Sequence, residues 1–238
     1  MIKIDVPTFN HKLISTGESL TCRPFTVKEE KLFLMAAESK EPEDLVNTTL
    51  QVIQNCVLNE TFDAESLPYF DVDYLLISLR SQSIGGSVEM DFICKNQVDG
   101  ETCGNRFNGT IGLSDVVIHK DDMKDPKIGF GEVGIEMKYP TYKSMKKNLV
   151  ELNDIKQQIN LMSESIKAIW DKDTVYNAHE MTKLEMEEFI EGLTKENFNK
   201  LLDFVDGAPW LRLEKTLKCK KCGNEELVEY EGFESFFE

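Results

Sequence analysis

The sequence has few of the residues from which catalytic sites are usually built. It contains only three histidines, His11, His119 and His179, and they stand in unrelated contexts. It has neither a glycine-rich phosphate-binding loop nor the Gly-x-Ser-x-Gly turn that exposes a serine nucleophile. Asp71 and Asp73 lie on either side of one valine, but carboxylates at the start of a helix usually cap its free N–H groups. The residue content therefore argues against an enzyme.

Basic side chains are scarce relative to acidic ones. The chain has 27 Lys and Arg against 43 Asp and Glu, which gives a formal net charge of -16 and a pI near 4.7. Nucleic-acid binding relies on Lys and Arg that displace counterions from phosphates. We therefore expect no nucleic-acid partner, and the acidic surface favours solubility and contacts with other proteins.

Long apolar runs are also missing. No stretch approaches the roughly 20 apolar residues of a membrane-spanning helix, and the first residues lack the apolar region of a signal peptide. We therefore expect no membrane span and a chain that stays where it is made. The six cysteines are then predicted to be reduced thiols or metal ligands rather than disulfides. Cys22 and Cys56 lie in apolar contexts and are predicted to be core residues.

The other four cysteines form two pairs with a shared pattern, Cys94 with Cys103 and Cys219 with Cys222, and each pair closes with Cys-Gly-Asn. Glycine there lets backbone N–H groups turn back toward thiolate sulfur, as in a metal-binding knuckle. Four thiolates fill a tetrahedral zinc shell and leave no place for water, so one structural Zn²⁺ per chain is predicted. The alternatives are two unrelated pairs without a metal, and a redox-active Cys219-x-x-Cys222, which lacks the usual following helix.

Apolar residues at helical spacing predict several helices, at about residues 27–39, 43–57, 71–82, 183–192 and 194–205. After Tyr139-Pro140, apolar residues recur three and four apart from Leu149 to Ile169. This stripe predicts one long helix, which packs on its own domain or pairs with a partner protein.

Alternating apolar residues predict strands between these helices. We expect hairpins at about 88–113 and 211–230, each with a cysteine pair at its tip, a hairpin or extended arm within residues 1–24, and short strands at 116–118 and 134–137. The predicted fold class is α+β with a zinc-ribbon-like element. The predicted segments are an N-terminal arm with helices (1–86), a β region (87–138), a helical segment (139–209) and a C-terminal hairpin that packs on the β region (210–238).

Several stretches of the sequence are similar to those of a known protein family. The most specific is Arg23-Pro24-Phe25-Thr26-Val27-Lys28-Glu29-Glu30-Lys31, and others are Leu13-Ile14-Ser15-Thr16-Gly17, Met137-Lys138-Tyr139-Pro140 and Glu231-Gly232-Phe233. The chain resembles the baseplate hub proteins of T-even-type contractile-tailed phages, which include hub subunits and hub assembly factors. Ile14 stands where that family would have proline. The resemblance implies a non-enzymatic protein that assembles the baseplate hub with other hub and tail proteins in the host cytoplasm. It leaves open whether the protein stays in the virion or leaves as a chaperone.

The resemblance directs attention to two candidate partner-binding regions. Arg23, Phe25, Lys28 and Glu29 lie where the N-terminal arm meets the first helix, although solvated charge is the simpler reading of this cluster. The second region is the aromatic C-terminus, which contains Phe233, Phe236 and Phe237. Rival functions from other classes are a nucleic-acid-binding zinc-ribbon regulator and a thiol oxidoreductase.

One buried charge is expected as well. Arg80 stands among apolar helix positions, and a guanidinium in that setting usually finds an internal carboxylate. Asp71 and Asp73 are the predicted candidates.

Overall fold

The structure is a computed structural model that describes residues 5–39, 41–84, 87–112, 115–148 and 154–231. Seven α-helices and several small antiparallel sheets lie within these ranges, so the predicted α+β class is confirmed. The helices are α1 Val27–Ser39, α2 Pro42–Cys56, α3 Tyr69–Ile84, α4 Tyr142–Asn148, α5 Ile155–Ser165, α6 Lys183–Glu191 and α7 Lys195–Asp206. The strands are β1 Phe9–Lys12, β2 Ser19–Cys22, β3 Ser87–Ile93, β4 Gln97–Val98, β5 Glu101–Thr102, β6 Arg106–Gly112, β7 Val116–His119, β8 Lys127–Phe130, β9 Val133–Met137, β10 Ile166–Trp170, β11 Val175–Asn177, β12 Trp210–Lys218 and β13 Glu225–Glu231.

The first core is built by α1, α2, α3 and the β1–β2 hairpin. The predicted helices at 27–39, 43–57 and 71–82 are confirmed to within two residues at each end. Helix α2 begins at Pro42, whose fixed φ suits the first helical position, and Glu43 and Asp44 complement the helix dipole there. Fully buried side chains on α2 and α3 form the centre of this core, among them Ile53, Phe70, Leu75, Leu76 and Leu79.

The second core lies between a four-stranded sheet and helices α5, α6 and α7. The sheet has the order β11-β10-β9-β8, and each neighbouring pair is antiparallel. Helices α6 and α7 follow the N-cap residues Thr182 and Thr194, whose side chains accept the N–H groups of Glu185 and Asn197. The predicted helices at 183–192 and 194–205 are therefore confirmed.

The single long helix predicted after Pro140 is wrong. Helix α5 starts after the N-cap Asp154 and ends at Ser165, and residues 166–170 form β10, which pairs with β9. The register of this pair shifts between Ile166 and Ala168, so Ile166, Ala168 and Ile169 are all buried. This bulge produces the three-residue spacing that resembles a helix. Residues 149–153, which begin the predicted stripe, lie outside the described residues.

The remaining strands form two hairpins that face each other. Strand β3 pairs with β6, and β12 lies between β13 and β7. The hairpins predicted at 88–113 and 211–230 and the strand predicted at 116–118 are confirmed, whereas β4, β5, β8 and β11 were not predicted. A small core of Phe92, Leu213 and Leu217 joins the two hairpins.

The ring of Tyr139 contacts both of the first two cores. Tyr139 packs edge-on against Phe70 of the first core at 5.2 Å and stacks on Phe204 of the second at 4.6 Å. The four predicted domain segments stay a prediction. The first core includes Tyr142, which belongs to the predicted segment 139–209. Across the described ranges, every helix is too short or too polar to span a membrane.

Candidate metal centre

The four cysteines of the two sequence pairs meet at one point. Their sulfur atoms all lie within 4.8 Å of one another. The Sγ atoms of Cys94 and Cys222 are 3.6 Å apart, and those of Cys103 and Cys219 are 3.9 Å apart. A zinc ion with four Zn–S bonds of about 2.3 Å separates its sulfurs by about 3.8 Å, whereas a disulfide holds them at about 2.05 Å. The two measured distances agree with a shared zinc ion and exclude a disulfide within either of these two pairs in this conformation.

The backbone of the first knuckle explains how two cysteines with eight residues between them can share an ion. The Cys94 N–H donates to the Asn105 carbonyl at 2.9 Å, and the Cys103 N–H donates to the Asn96 carbonyl at 2.8 Å. Gly104 has φ 60° and donates its N–H to the Cys94 carbonyl at 3.1 Å. The intervening residues pair as β4 and β5, so the long spacing is closed by a miniature hairpin.

The second knuckle repeats this backbone pattern with the shorter Cys-x-x-Cys spacing. The Cys219 N–H donates to the Asn224 carbonyl at 2.8 Å, and the Gly223 N–H donates to the Cys219 carbonyl at 2.9 Å. Gly223 has φ 73°, the left-handed conformation that Gly104 also adopts. The two Cys-Gly-Asn tripeptides therefore perform the same turn in both hairpins.

Side-chain amides connect the two knuckles. The Asn96 amide donates to the Cys222 sulfur at 3.7 Å, and the Asn105 amide donates to the Cys219 sulfur at 3.5 Å. The Lys221 ammonium also crosses between hairpins and donates to the Cys103 carbonyl at 3.2 Å. The two amide bonds orient the sulfurs and favour their charged form, as outer-shell partners do in metal sites.

Backbone donors act on the protonation of the second pair. The N–H groups of Cys222 and Lys221 lower the pKa of Cys219 to about 6, and the N–H of Asn224 lowers the pKa of Cys222. The N–H of Asn96 also favours a thiolate at Cys94, but burial and the three neighbouring thiols raise its pKa to about 12. These backbone donors favour thiolates at Cys219 and Cys222, and a bound divalent cation would favour thiolates throughout the cluster.

The base of the cluster is a close contact between the two hairpins. Leu213 and Leu217 of β12 pack on Phe92 of β3. A Cβ added to Gly109 would lie 2.7 Å from the Phe92 ring and 3.1 Å from Leu217. The absence of a side chain on Gly109 allows β6 to approach β12, which brings the two hairpin tips together.

The residues present fit a structural zinc ion. Thiolate is a preferred zinc ligand, and four of them leave no open coordination position for water or substrate. Cys94 and Cys219 are buried, while Cys103 and Cys222 are half-buried. Such a site can fasten two chain segments but offers no place for a reacting molecule.

The T4 bacteriophage base plate protein family has a model that matches residues 6–238 of this chain. The chain belongs to that family. Membership supports a structural role in the phage tail baseplate and implies contacts with other tail proteins of the virion. Comparison with curated proteins and with solved structures found no match.

The predicted partner residues of the N-terminal region lie in two different environments. The Glu29 side chain is fully buried and accepts two hydrogen bonds from Arg23, at 2.9 and 3.2 Å. The Arg23 guanidinium and the Thr26 N–H lower the pKa of Glu29 to about 2 against the opposing effect of burial. Phe25 is buried beside Phe33. Lys28 is exposed and Arg23 is half-buried, so these two of the four predicted residues are accessible to solvent.

Phe233, Phe236 and Phe237, the predicted partner residues of the C-terminus, lie outside the described residues. Cys22 and Cys56 have no exposed surface, which confirms that they are core residues. Burial raises the pKa of Cys22 to about 11 and that of Cys56 to about 12, so both stay protonated near neutral pH.

Asp71 was predicted to cap a helix or to pair with Arg80, and its carboxylate instead binds the turn of the β1–β2 hairpin. The carboxylate is buried in the first turn of α3 and accepts the N–H groups of Ile14, at 2.6 Å, and Ser15, at 3.3 Å, as well as the Ser15 hydroxyl. It therefore fastens the turn of the β1–β2 hairpin, and both of its oxygens are engaged there. Glu30 on α1 acts electrostatically on Arg80. No local sequence signal connects Asp71 with a turn more than fifty residues earlier.

Proposed function

We propose that this base plate protein acts in assembly of the baseplate hub in the host cytoplasm, as a hub subunit or an assembly chaperone, without enzymatic activity. We further propose that one structural zinc ion, bound by Cys94, Cys103, Cys219 and Cys222, stabilises it. The observation that supports the zinc site is the close approach of the four sulfurs, which all lie within 4.8 Å of one another. Family membership supports the tail function.

The proposed ion is a fastener between distant parts of the chain. Cys94 and Cys222 are 128 residues apart in sequence, and the described residues of the two hairpins that present them form a small shared apolar core. In such an arrangement, coordination replaces buried area as the source of stability. The predicted contact of the aromatic C-terminus with a partner depends on this fastening, because Phe233, Phe236 and Phe237 follow β13 directly.

Metal analysis tests the zinc site. We expect about one zinc per chain in protein purified without added metal, and loss of that zinc in Cys222→Ser. Cys56→Ala is the matched control because Cys56 is a free cysteine outside the cluster, and it should keep the metal. Metal-free wild-type protein that cycles a Cys219–Cys222 disulfide would instead support the redox alternative.

Co-purification tests the hub function. A tagged copy expressed during infection is expected to capture other hub and tail proteins from the host cytoplasm. Its presence in mature particles identifies a hub subunit, and its absence from them identifies a chaperone that leaves. Recovery without any tail protein would contradict both versions.

A further inference from the structure

Helix α1 has two faces that differ in what covers them. Its inner face carries the buried Glu29 and Ala36 and packs on the first core. Its outer face presents three large apolar side chains to solvent: Val27 is 80% exposed, Leu34 is 67% exposed and Met35 is 57% exposed. Exposed apolar residues grouped on one helix face are typical of a surface that another protein covers.

Two opposite charges lie on the same stripe. Val27, Lys31, Leu34 and Glu38 follow one another at steps of four, three and four residues, which places them on one side of the helix. Lys31 and Glu38 are exposed, and neither forms an ion pair with the described part of the chain. At a rise of about 1.5 Å per residue they are about 10 Å apart along the axis, too far to pair with each other.

We propose that the α1 outer face, comprising Val27, Lys31, Leu34, Met35 and Glu38, binds the same face of a second copy of this chain in antiparallel orientation. A two-fold axis between Leu34 and Met35 brings those apolar residues of the two copies together. The same axis places Lys31 of each copy opposite Glu38 of the other, which forms two equivalent ion pairs.

The charge pattern of α1 favours a second copy of the chain as the partner, and it favours the antiparallel orientation of the two helices. In parallel alignment, Lys31 would face Lys31 and Glu38 would face Glu38, and like charges in contact oppose association. A stripe with one basic and one acidic end is complementary to its own reversed copy without any further partner. The contact follows from the surface of α1 alone and does not depend on the zinc site or the hub function.

The expected dimer is weak. One pair of 13-residue helices buries less than the about 1,200–2,000 Å² of a stable protein interface. Each copy also carries a net charge of -16, which opposes association at long range. Measurements belong at about 0.15 M salt, where a Debye length of about 8 Å screens this repulsion more than it weakens ion pairs in contact.

Sedimentation equilibrium from micromolar to millimolar concentration tests the dimer. We expect the mass of the wild-type chain to rise toward twice 27.3 kDa. Leu34→Glu should weaken the dimer by about tenfold or more, since it places a charge at the centre of the contact. Leu184→Glu on α6 is the matched control because Leu184 is 64% exposed, and it should leave the dimer unchanged. A wild-type chain that stays monomeric, or an equal effect of both substitutions, overturns the proposal.

A charge exchange tests the antiparallel direction. Lys31→Glu and Glu38→Lys should each weaken the dimer by about threefold or more, because each creates two like-charge contacts. The double variant restores opposite charges and should return to within about twofold of wild type. Failure of the double variant to recover would overturn the antiparallel pairing, and unchanged thermal unfolding of the single variants confirms that they are folded.

Discussion

Among the residues whose burial the structure describes, the core around α2 and α3 contains twenty buried apolar residues, whereas the core between the two cysteine hairpins contains three. The first region is close-packed and draws its stability from buried apolar area. The second region presents four sulfurs at metal-binding distance above Phe92, Leu213 and Leu217. A small β element of this kind needs a fastener, so the two regions should respond differently to the same perturbation.

The largest expected difference follows removal of the proposed zinc. Structural zinc contributes apparent binding energies of about 10–16 kcal/mol in small modules. We expect a strong chelator to abolish amide protection in β3, β6, β12 and β13, while α3 stays protected. Hydrogen exchange measured by mass spectrometry, with and without chelator, checks this. Equal loss of protection in both regions would show that the metal stabilises the whole chain rather than the hairpins.

A cavity in the first core gives the opposite pattern. Leu76 is fully buried, so Leu76→Ala should lower the free energy of unfolding by about 2–5 kcal/mol. The zinc content per folded chain should not change. Leu58→Ala removes the same atoms at a position that is 49% exposed and should cost less than about 0.5 kcal/mol. Urea unfolding with metal analysis measures both, and loss of zinc in Leu76→Ala would contradict the independence of the regions.

A methyl group at the hairpin contact should affect the second region alone. Gly109→Ala places a Cβ 2.7 Å from the Phe92 ring, so the hairpins must separate slightly, at a cost of about 1–3 kcal/mol. Gly129→Ala in β8 meets no atom within 4 Å and serves as the matched control. Zinc affinity measured by chelator competition should fall for Gly109→Ala only. Equal affinities for the two variants would mean that the hairpins tolerate wider spacing.

The smallest predicted effect is a pH dependence of the first region. Burial lowers the pKa of His11 to about 4 from 6.5, and its ring packs 4.8 Å from Tyr74. Because the unfolded chain takes up the proton first, stability is full above pH 6.5 and falls as the pH drops toward 4. The expected loss at about pH 5.5 is about 1 kcal/mol.

His11→Phe removes this titration and keeps a ring in the core. Thermal unfolding of both proteins at several pH values isolates the His11 contribution. The carboxylates, including the buried Asp71, are the same in both proteins and cancel in the comparison. Parallel curves for the two proteins would contradict the assignment.

Sequence patterns predicted the features that depend on local chemistry. Capping residues and apolar spacing located five helices, and the repeated Cys-Gly-Asn tripeptide indicated two equivalent knuckles. The strand at 166–170 was not predicted because its bulge gives its apolar residues a three-residue spacing. Its extended conformation depends on pairing with β9, its neighbour in the sheet. The buried state of Glu29 and the bond between Asp71 and Ser15 depend on tertiary contacts, which a local pattern does not contain.

The separation of the two knuckles in sequence also determines when the four-sulfur cluster can form during synthesis of the chain. Ribosomes add about 5–20 residues per second, so roughly 6–24 s pass between synthesis of Cys103 and synthesis of Cys222. During that interval α3 and the first knuckle exist without the strands that complete the four-sulfur cluster. The first helices can pack in this time, and the hairpin around Cys94 waits for the last part of the chain. Closure of the cluster therefore follows synthesis of the first helices by many seconds, and chains truncated before Cys222 cannot reach it.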